Sequence, residues 1–330
     1  MKVLITGGAG FLGRRLGLKI LERGTLAGAD GRPRTIDRLT LLDVAAGEAI
    51  DDARVRTLVG DIGDPAIMAD AIDAETEVVF HLAAIVSGQA EADFDLGMRI
   101  NLDGSRLLLE RCRALGHRPR VLFTSSVAVF GGVLPTVVPE DWPVRPQSSY
   151  GAQKAIGELL LSDYSRKGFV DGRVTRLPTI SVRPGRPNKA ASSFASGIIR
   201  EPLNGEAAVC PVPPGTRLWL LSPRKAIEAL IAVQELSSDR LGDDRVLNLP
   251  GVSVSAAGMV AALGRVAGEE VAAWVRWEED ATITRIVGSW PGAWNTDRAT
   301  ALGLAGDKDF DAIVQAYVED DLAAHRPLAG

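Results

Sequence analysis

Tyr150 and Lys154 stand in a Y-x-x-x-K spacing. Four residues make about one helical turn, so on a helix the phenol and the ammonium leave the same face. A cation beside a tyrosine favours the phenolate and lowers the tyrosine pKa. Tyr150 then becomes a base for an alcohol proton near neutral pH. Ser126 closes the run Thr124-Ser125-Ser126 after an apolar stretch, where a hydroxyl can hold a substrate oxygen next to that base. Asn101 lies in a long helical stretch, and its amide is placed to hold a water or a backbone group that fixes Lys154. A plain helix-surface amide is the competing reading for Asn101.

A second constellation lies at the N-terminus. Gly7-Gly-Ala-Gly10-Phe11-Leu12-Gly13 follows the apolar run Val3–Thr6 and opens a helical one. The G-x-x-G-x-x-G spacing lets the backbone turn tightly and approach a pyrophosphate, which the N–H groups of the helix start then bind. The next apolar run ends in Asp43, whose carboxylate suits ribose hydroxyls and repels a 2′-phosphate. Val44-Ala45-Ala46 add no Arg or Lys, so the cofactor expected is NAD rather than NADP. Asp43 lies farther from the glycines than the usual ~20 residues, and a polar surface loop expected over Gly24–Asp37 accounts for the delay. Asp61-Ile62 are expected beside the adenine. Leu82-Ala83-Ala84 follow His81 and let the backbone pass the cofactor. His81 itself reads as a packed strand-end residue, not a catalyst.

Parallel strands joined by helices must position these groups. Strand-like runs at Val3–Thr6, Leu39–Asp43, Val55–Val59, Val78–Leu82, Val121–Ser125 and Arg173–Leu177 alternate with amphipathic stretches at Phe11–Arg23, Pro65–Ile72, Phe94–Leu115 and Tyr150–Arg166. That alternation predicts an α/β fold: a Rossmann-type doubly wound parallel sheet, with ligands outside the carboxyl ends of its strands. Beyond Pro178 the pattern loosens into a strand at Arg217–Leu221 and helices at Pro223–Leu236, Val254–Val266 and Phe310–Ala323. The expected division is an NAD-binding domain over 1–177 and, over 178–330, a smaller interleaved region that caps the substrate and returns some elements to the first domain.

Composition narrows the field. A net charge of −5 with mixed signs provides no basic surface for nucleic acid. No apolar run approaches the ~18 residues of a membrane span, and Met1 leads straight into a strand with no room for a signal peptide, so a cytoplasmic protein is expected. Cys112 and Cys210 read as buried, reduced thiols. His81, His117 and His325 are scattered, so no metal site is expected.

Taken together, TGGAGFLG, the HLAA run, NLDG at Asn101–Gly104, SSVAVFG at Ser125–Gly131 and YGAQK at Tyr150–Lys154 resemble an extended short-chain dehydrogenase/reductase over roughly the first 185 residues. The resemblance implies Tyr150 as proton acceptor, Lys154 as its activator and ribose ligand, Ser126 as the group positioning the reacting oxygen, and Asn101 in a proton relay. It places Ser125, Pro178 and Ile180 near the nicotinamide, with Thr179 between cofactor and substrate, and it implies a homodimer packed through the fourth and fifth helices. Departures narrow the substrate. Thr179 stands where relatives acting on sugar nucleotides carry an asparagine, and Ser126 is followed by Val127-Ala128 rather than the Asp-Glu of dehydratases. Arg183 and Arg217 remain in pocket-forming segments, and a guanidinium matches a carboxylate in a bidentate fork. The substrate expected is therefore a small organic acid, which the resemblance implies is a sugar acid, with Ser87 and Ser193 as further polar contacts. A nucleotide-sugar epimerase and a non-catalytic cofactor sensor stay open as alternatives.

Overall fold

A computed structural model describes residues 1–322 of the 330. Lys2–Thr6 (β1), Arg38–Asp43 (β4), Val55–Val59 (β5), Thr76–His81 (β6), Arg120–Ser126 (β7), Asp171–Leu177 (β8) and Val246–Asn248 (β12) form a seven-stranded sheet ordered β12-β8-β7-β6-β1-β4-β5. β1 pairs in parallel with β4 and β6, β4 with β5, and β6 with β7. Consecutive residues such as Val3, Leu4 and Ile5 are all buried, as helices on both faces require. The strand order reverses at β1/β6, which makes their carboxyl ends the natural crevice.

The connecting helices are Phe11–Arg23 (α1), Pro65–Ala71 (α2), Ser87–Ala92 (α3), Phe94–Gly97 (α4), Ser105–Leu115 (α5), Ser149–Arg166 (α6), Phe194–Leu203 (α7) and Pro223–Glu235 (α8). Three expectations need correction. Gly24–Asp37 is not a bare loop: Thr25–Ala27 (β2) and Pro33–Thr35 (β3) pair as an antiparallel hairpin, with Gly31 at φ +75° in its turn. Phe94–Leu115 is not one helix, because a π-helical turn over Met98–Gly104 separates α4 from α5. Nor is Val254–Val266 helical throughout. The alternating Val252–Ser255 forms a strand (β13), and Ser255 then caps the helix Ala256–Ala267 through Gly258 N–H at 3.0 Å. The last helix runs Phe310–Tyr317 and continues as a π turn to Leu322; Ala323 and His325 lie outside the described residues.

The chain divides into two units, each woven from three segments: Met1–Ser125, Ser149–Arg176 and Ile227–Leu247 in the first, and Ser126–Ser148, Leu177–Ala226 and Asn248 onward in the second. No single cut at 177 separates them. The first unit packs around Leu4, Leu42, Val79, Leu108, Val121 and Leu161. The second packs around Phe194, Ile198, Leu218, Met259, Leu263 and Ile313. It holds a sheet ordered β13-β11-β9 from Thr179–Ile180 (β9), Arg217–Leu221 (β11) and β13, and a parallel pair of Ala208–Cys210 (β10) with Val275–Trp277 (β14).

One buried network in the first unit defies simple charge matching. Around Asp171 stand Arg173 at 3.0 Å, Arg245 at 3.1 Å and Arg120 at 3.4 Å. The surplus positive charge is answered by the carbonyl end of α8, where the helix dipole is negative. Arg120 donates to Gln234 O at 3.1 Å, and Arg173 donates to Leu236 O at 2.8 Å. Burial alone would raise the Asp171 pKa, but Arg173, Ser238 and Arg120 hold it below the ordinary carboxylate range. Asp171→Asn leaves these guanidinium groups without their anion, and it is expected to cost about 3–5 kcal/mol in urea unfolding; a loss below ~1 kcal/mol would show the network to be unimportant for stability.

Candidate active site

The glycine run turns under tight steric control. Gly7 sits at φ +72°, and a Cβ there would lie 2.9 Å from Ala83 N. A Cβ on Gly13 would lie 2.0 Å from Gly7 O, and one on Gly8 would lie 2.7 Å from the Leu41 side chain. Only glycine lets β1, the loop and α1 close to this distance. Asp43, at the end of β4, accepts from Ala9 N–H at 3.1 Å, so its partly buried carboxylate holds the loop. Among the described residues no acidic side chain occupies the first turn of α1, which begins at Phe11 and Leu12. This cradle, a helix start free of competing carboxylates beside a strand-end Asp, fits a dinucleotide.

Beyond it, Asp61 accepts from Gly63 N–H and pairs with Arg99 at 2.6 Å. Ile62 is buried against Gly104. Ala83 N–H donates to Thr6 Oγ1 at 3.2 Å, which keeps the Leu82-Ala83-Ala84 segment against β1. The Ser125 hydroxyl is committed to the Glu158 carboxylate, leaving its backbone as the part available to a cofactor.

Tyr150 and Lys154 both lie on α6, whose first N–H groups include that of Ser149, bonded to Glu91 at 2.9 Å. Lys154 is buried. Its Nζ donates to Thr124 O at 2.8 Å and lies 4.6 Å from the Phe123 ring centre and 5.7 Å from that of Tyr150. Burial lowers the Lys154 pKa to about 7, against an opposing pull from Glu158. Ser126 ends β7, and its Oγ accepts from Ala128 N–H at 3.2 Å in the turn that follows.

The Asn101 amide is bonded to the Ile85 backbone and to Gln153. Its Oδ1 accepts from Ile85 N–H at 2.7 Å, and its Nδ2 donates to Ile85 O at 3.0 Å and to Gln153 Oε1 at 2.7 Å. The amide thus splices the π turn to the segment after β6 and to the residue before Lys154.

His81 is a buried junction with a definite polarity. The Ser105 hydroxyl donates to Asn101 O at 2.6 Å, so His81 Nε2 must donate to Ser105 Oγ at 2.9 Å. Nδ1 is then an acceptor, and Thr6 Oγ1 donates to it at 2.7 Å while receiving Ala83 N–H. A single proton order satisfies every group from β1 to the π turn. Burial, helped by the charge on Lys154, lowers the His81 pKa to about 3, so the ring stays neutral.

The substrate candidates are divided between the two units. Ser87 is buried at the start of α3 in the first unit. In the second unit Thr179 pairs with Leu220, and Pro178 and Ile180 flank it. Arg183 Nη2 reaches Asn188 Oδ1 at 3.3 Å, and Asn188 N–H donates to Ser193 Oγ at 3.2 Å, so Asn188 links these two candidates. Arg217 instead turns to Ser253, 3.3 Å from both its Oγ and its carbonyl. Sequence reasoning missed Gln153, Glu158, Arg176 and Asn188. The first two carried a signal, being polar residues beside and one turn after Lys154 on a helix face that must be buried.

Among the described residues no group of three or more His, Cys, Asp or Glu side chains could hold a metal, and no helix is long and apolar enough to cross a membrane. Cys112 and Cys210 are buried free thiols, and burial pushes Cys112 up to about 12.

A parallel sheet with a glycine cradle at one strand end and a tyrosine–lysine helix beside it defines an NAD-dependent oxidoreductase fold. Residues 3–219 match the NAD dependent epimerase/dehydratase family, and the chain belongs to it. It is 68% identical over 320 residues to a D-erythronate dehydrogenase of Cupriavidus necator, covering 97% of this chain and 98% of the relative. A D-erythronate dehydrogenase of Haemophilus influenzae is 46% identical over 98% of this chain and all of the relative. A crystal structure described as a nucleoside-diphosphate-sugar epimerase from Agrobacterium tumefaciens matches with a TM-score of 0.92 at 43% identity, covering 98% of this chain and 95% of that one.

The His81 polarity has a measurable signature. Its folded pKa lies below the unfolded value of 6.5, so its contribution to stability is complete above about pH 6.5 and is lost as pH falls toward 3. Nitrogen NMR should show a neutral Nε2–H tautomer from about pH 5 to 8; a ring that titrates inside that window would refute the assigned proton order.

Proposed function

We propose that this chain oxidises the C2 hydroxyl of D-erythronate to 2-oxo-D-erythronate. The observation that carries the reading is the 68% identity to a D-erythronate dehydrogenase across 97% of the chain, joined to a buried Lys154 beside Tyr150 on one helix. NAD+, when bound, supplies the hydride acceptor for C2. Gly7, Gly10 and Gly13 give the loop its close approach to the pyrophosphate, and Asp43 takes the ribose hydroxyls. Tyr150, as phenolate, removes the C2 hydroxyl proton, with Ser126 holding the same oxygen. Lys154 stabilises that phenolate through its charge. Asn101 serves by position, since its amide fixes the segment after β6 and Gln153 next to the lysine.

Arg183 is the preferred partner of the substrate carboxylate, because Asn188 links it to Ser193, a second candidate; Arg217, bonded to Ser253, is the alternative. Thr179 and Ser87 are the remaining polar candidates for the acid's hydroxyls. The product places the enzyme in tetronate catabolism, and we assign it to the cytoplasm.

We also infer a homodimer. Phe94 next to the π turn and Ile156 and Leu159 on α6 are exposed apolar side chains in the helices that the family resemblance assigns to the interface. Leu159→Glu should reduce the mass seen by light scattering from a dimer to the 35.0 kDa monomer; a wild-type chain that is already monomeric would end this inference.

The reaction is tested by following NADH absorbance with a panel of four- to six-carbon sugar acids, each offered with NAD and with NADP. Net NADH formation from D-erythronate is expected, with NAD strongly preferred; an epimerase would accumulate none. Tyr150→Phe should lower kcat by ~10²-fold or more with NAD binding retained, and near-normal turnover in that variant would remove Tyr150 from the mechanism.

A further inference from the structure

Glu158 lies one helical turn after Lys154 on α6 and is buried. Its carboxylate takes a bidentate pair from Arg176 on β8, Nε to Oε1 at 2.9 Å and Nη2 to Oε2 at 2.7 Å, and also accepts the Ser125 hydroxyl. Ser125 directly follows Thr124, whose carbonyl receives Lys154 Nζ. Two consecutive residues of β7 are therefore each gripped by one of two opposite charges on α6.

A buried ion pair adds little stability over apolar side chains of the same volume. Its position here, against a buried ammonium that faces a tyrosine ring, serves a different need. Among the described residues, few charged or titratable groups stand around Lys154. Tyr150 and Glu158 share its helix, His81 on β6 is neutral, and Arg176 on β8 stands behind Glu158. β7 offers only Phe123, Thr124 and Ser125, and the π turn offers the amide of Asn101 through Gln153.

We propose that Glu158 is a positioning residue that acts through Lys154 as its countercharge, while Arg176 limits the field of that carboxylate, so that the pair sets the alkaline edge of the enzyme's working range. The proposal rests on the reading of Tyr150 and Lys154 as the catalytic pair. Without Glu158 the Arg176 cation would be unanswered and Lys154 would lose its proton at lower pH. Without Arg176 the bare carboxylate would hold that proton to higher pH. The two single variants thus move one group in opposite directions, which a merely structural pair would not do.

The test uses the full chain labelled with carbon-13 at lysine Cε, with Lys154 assigned by a Lys154→Met spectrum, alongside the pH profile of kcat/KM for D-erythronate. Glu158→Gln should shift both the Lys154 titration and the alkaline limb down by about one pH unit or more, a tenfold change in proton affinity. Arg176→Met should shift both up, and the charge-neutral double variant Glu158→Gln/Arg176→Met should fall between them. Should Glu158→Gln not fold, the upward shift of Arg176→Met and the intermediate double variant decide the matter. Opposite NMR shifts in a protein that oxidises no sugar acid would support the countercharge while refuting the proposed reaction. Titrations that stay at the wild-type pH, or move in the same direction in both single variants, overturn the proposal.

Discussion

The carboxyl end of β7 is organised around the burial of one ammonium ion, that of Lys154. An isolated lysine cation inside a protein sheds its proton rather than stay charged in a poor dielectric. Here it is met by a strand carbonyl at 2.8 Å, the face of Phe123 and the carboxylate one turn away. Two of these neighbours belong to β7 and the third to α6 itself, so the contact needs β7 to end at the right level and α6 to turn its buried face toward that end. The glycine loop, the π turn and the His81 junction settle around the same spot, because all are anchored to the carboxyl ends of β1, β6 and β7.

Much of this could be read from residue order. The alternation of apolar runs with amphipathic stretches located β1, β4, β5, β6, β7 and β8 within a residue or two, because most of these strands carry a short apolar run; β5 (VRTLV) and β8 (DGRVTRL) are more polar. The placement of Tyr150 and Lys154 on one helix, and of the glycine run between β1 and α1, was legible for a comparable reason: both patterns are local in sequence. The π turn at Met98–Gly104 was not legible, since seven residues of wider helix inside an otherwise helical run are too few to show a changed period. The β2–β3 hairpin hid in a polar stretch because its outer residues Pro33–Thr35 are all exposed and show no alternation.

The second unit was harder to foresee. Its strands are short, two to five residues, and the partner of each lies far away in sequence, as when Arg217 faces Ser255. A guanidinium can be spotted in a sequence, but its choice of neighbour cannot. Arg183 and Arg217 look alike on paper, yet one is drawn to Asn188 and the other to Ser253. Side-chain amides and hydroxyls on irregular backbone make that distinction, and no periodicity announces them.

The return of Ile227–Leu247 to the first unit has a bearing on how the chain is born. Arg173 leaves the ribosome 63 residues ahead of Leu236, whose carbonyl it will need, and Arg120 leads Gln234 by 114. Until those acceptors emerge, the nascent sheet carries clustered cations with too few anions and an unfinished edge. Closure of the nucleotide-binding half is thus tied to synthesis of most of the polypeptide, and a shortened product ending near residue 177 would expose that cationic seam instead of forming a self-sufficient domain.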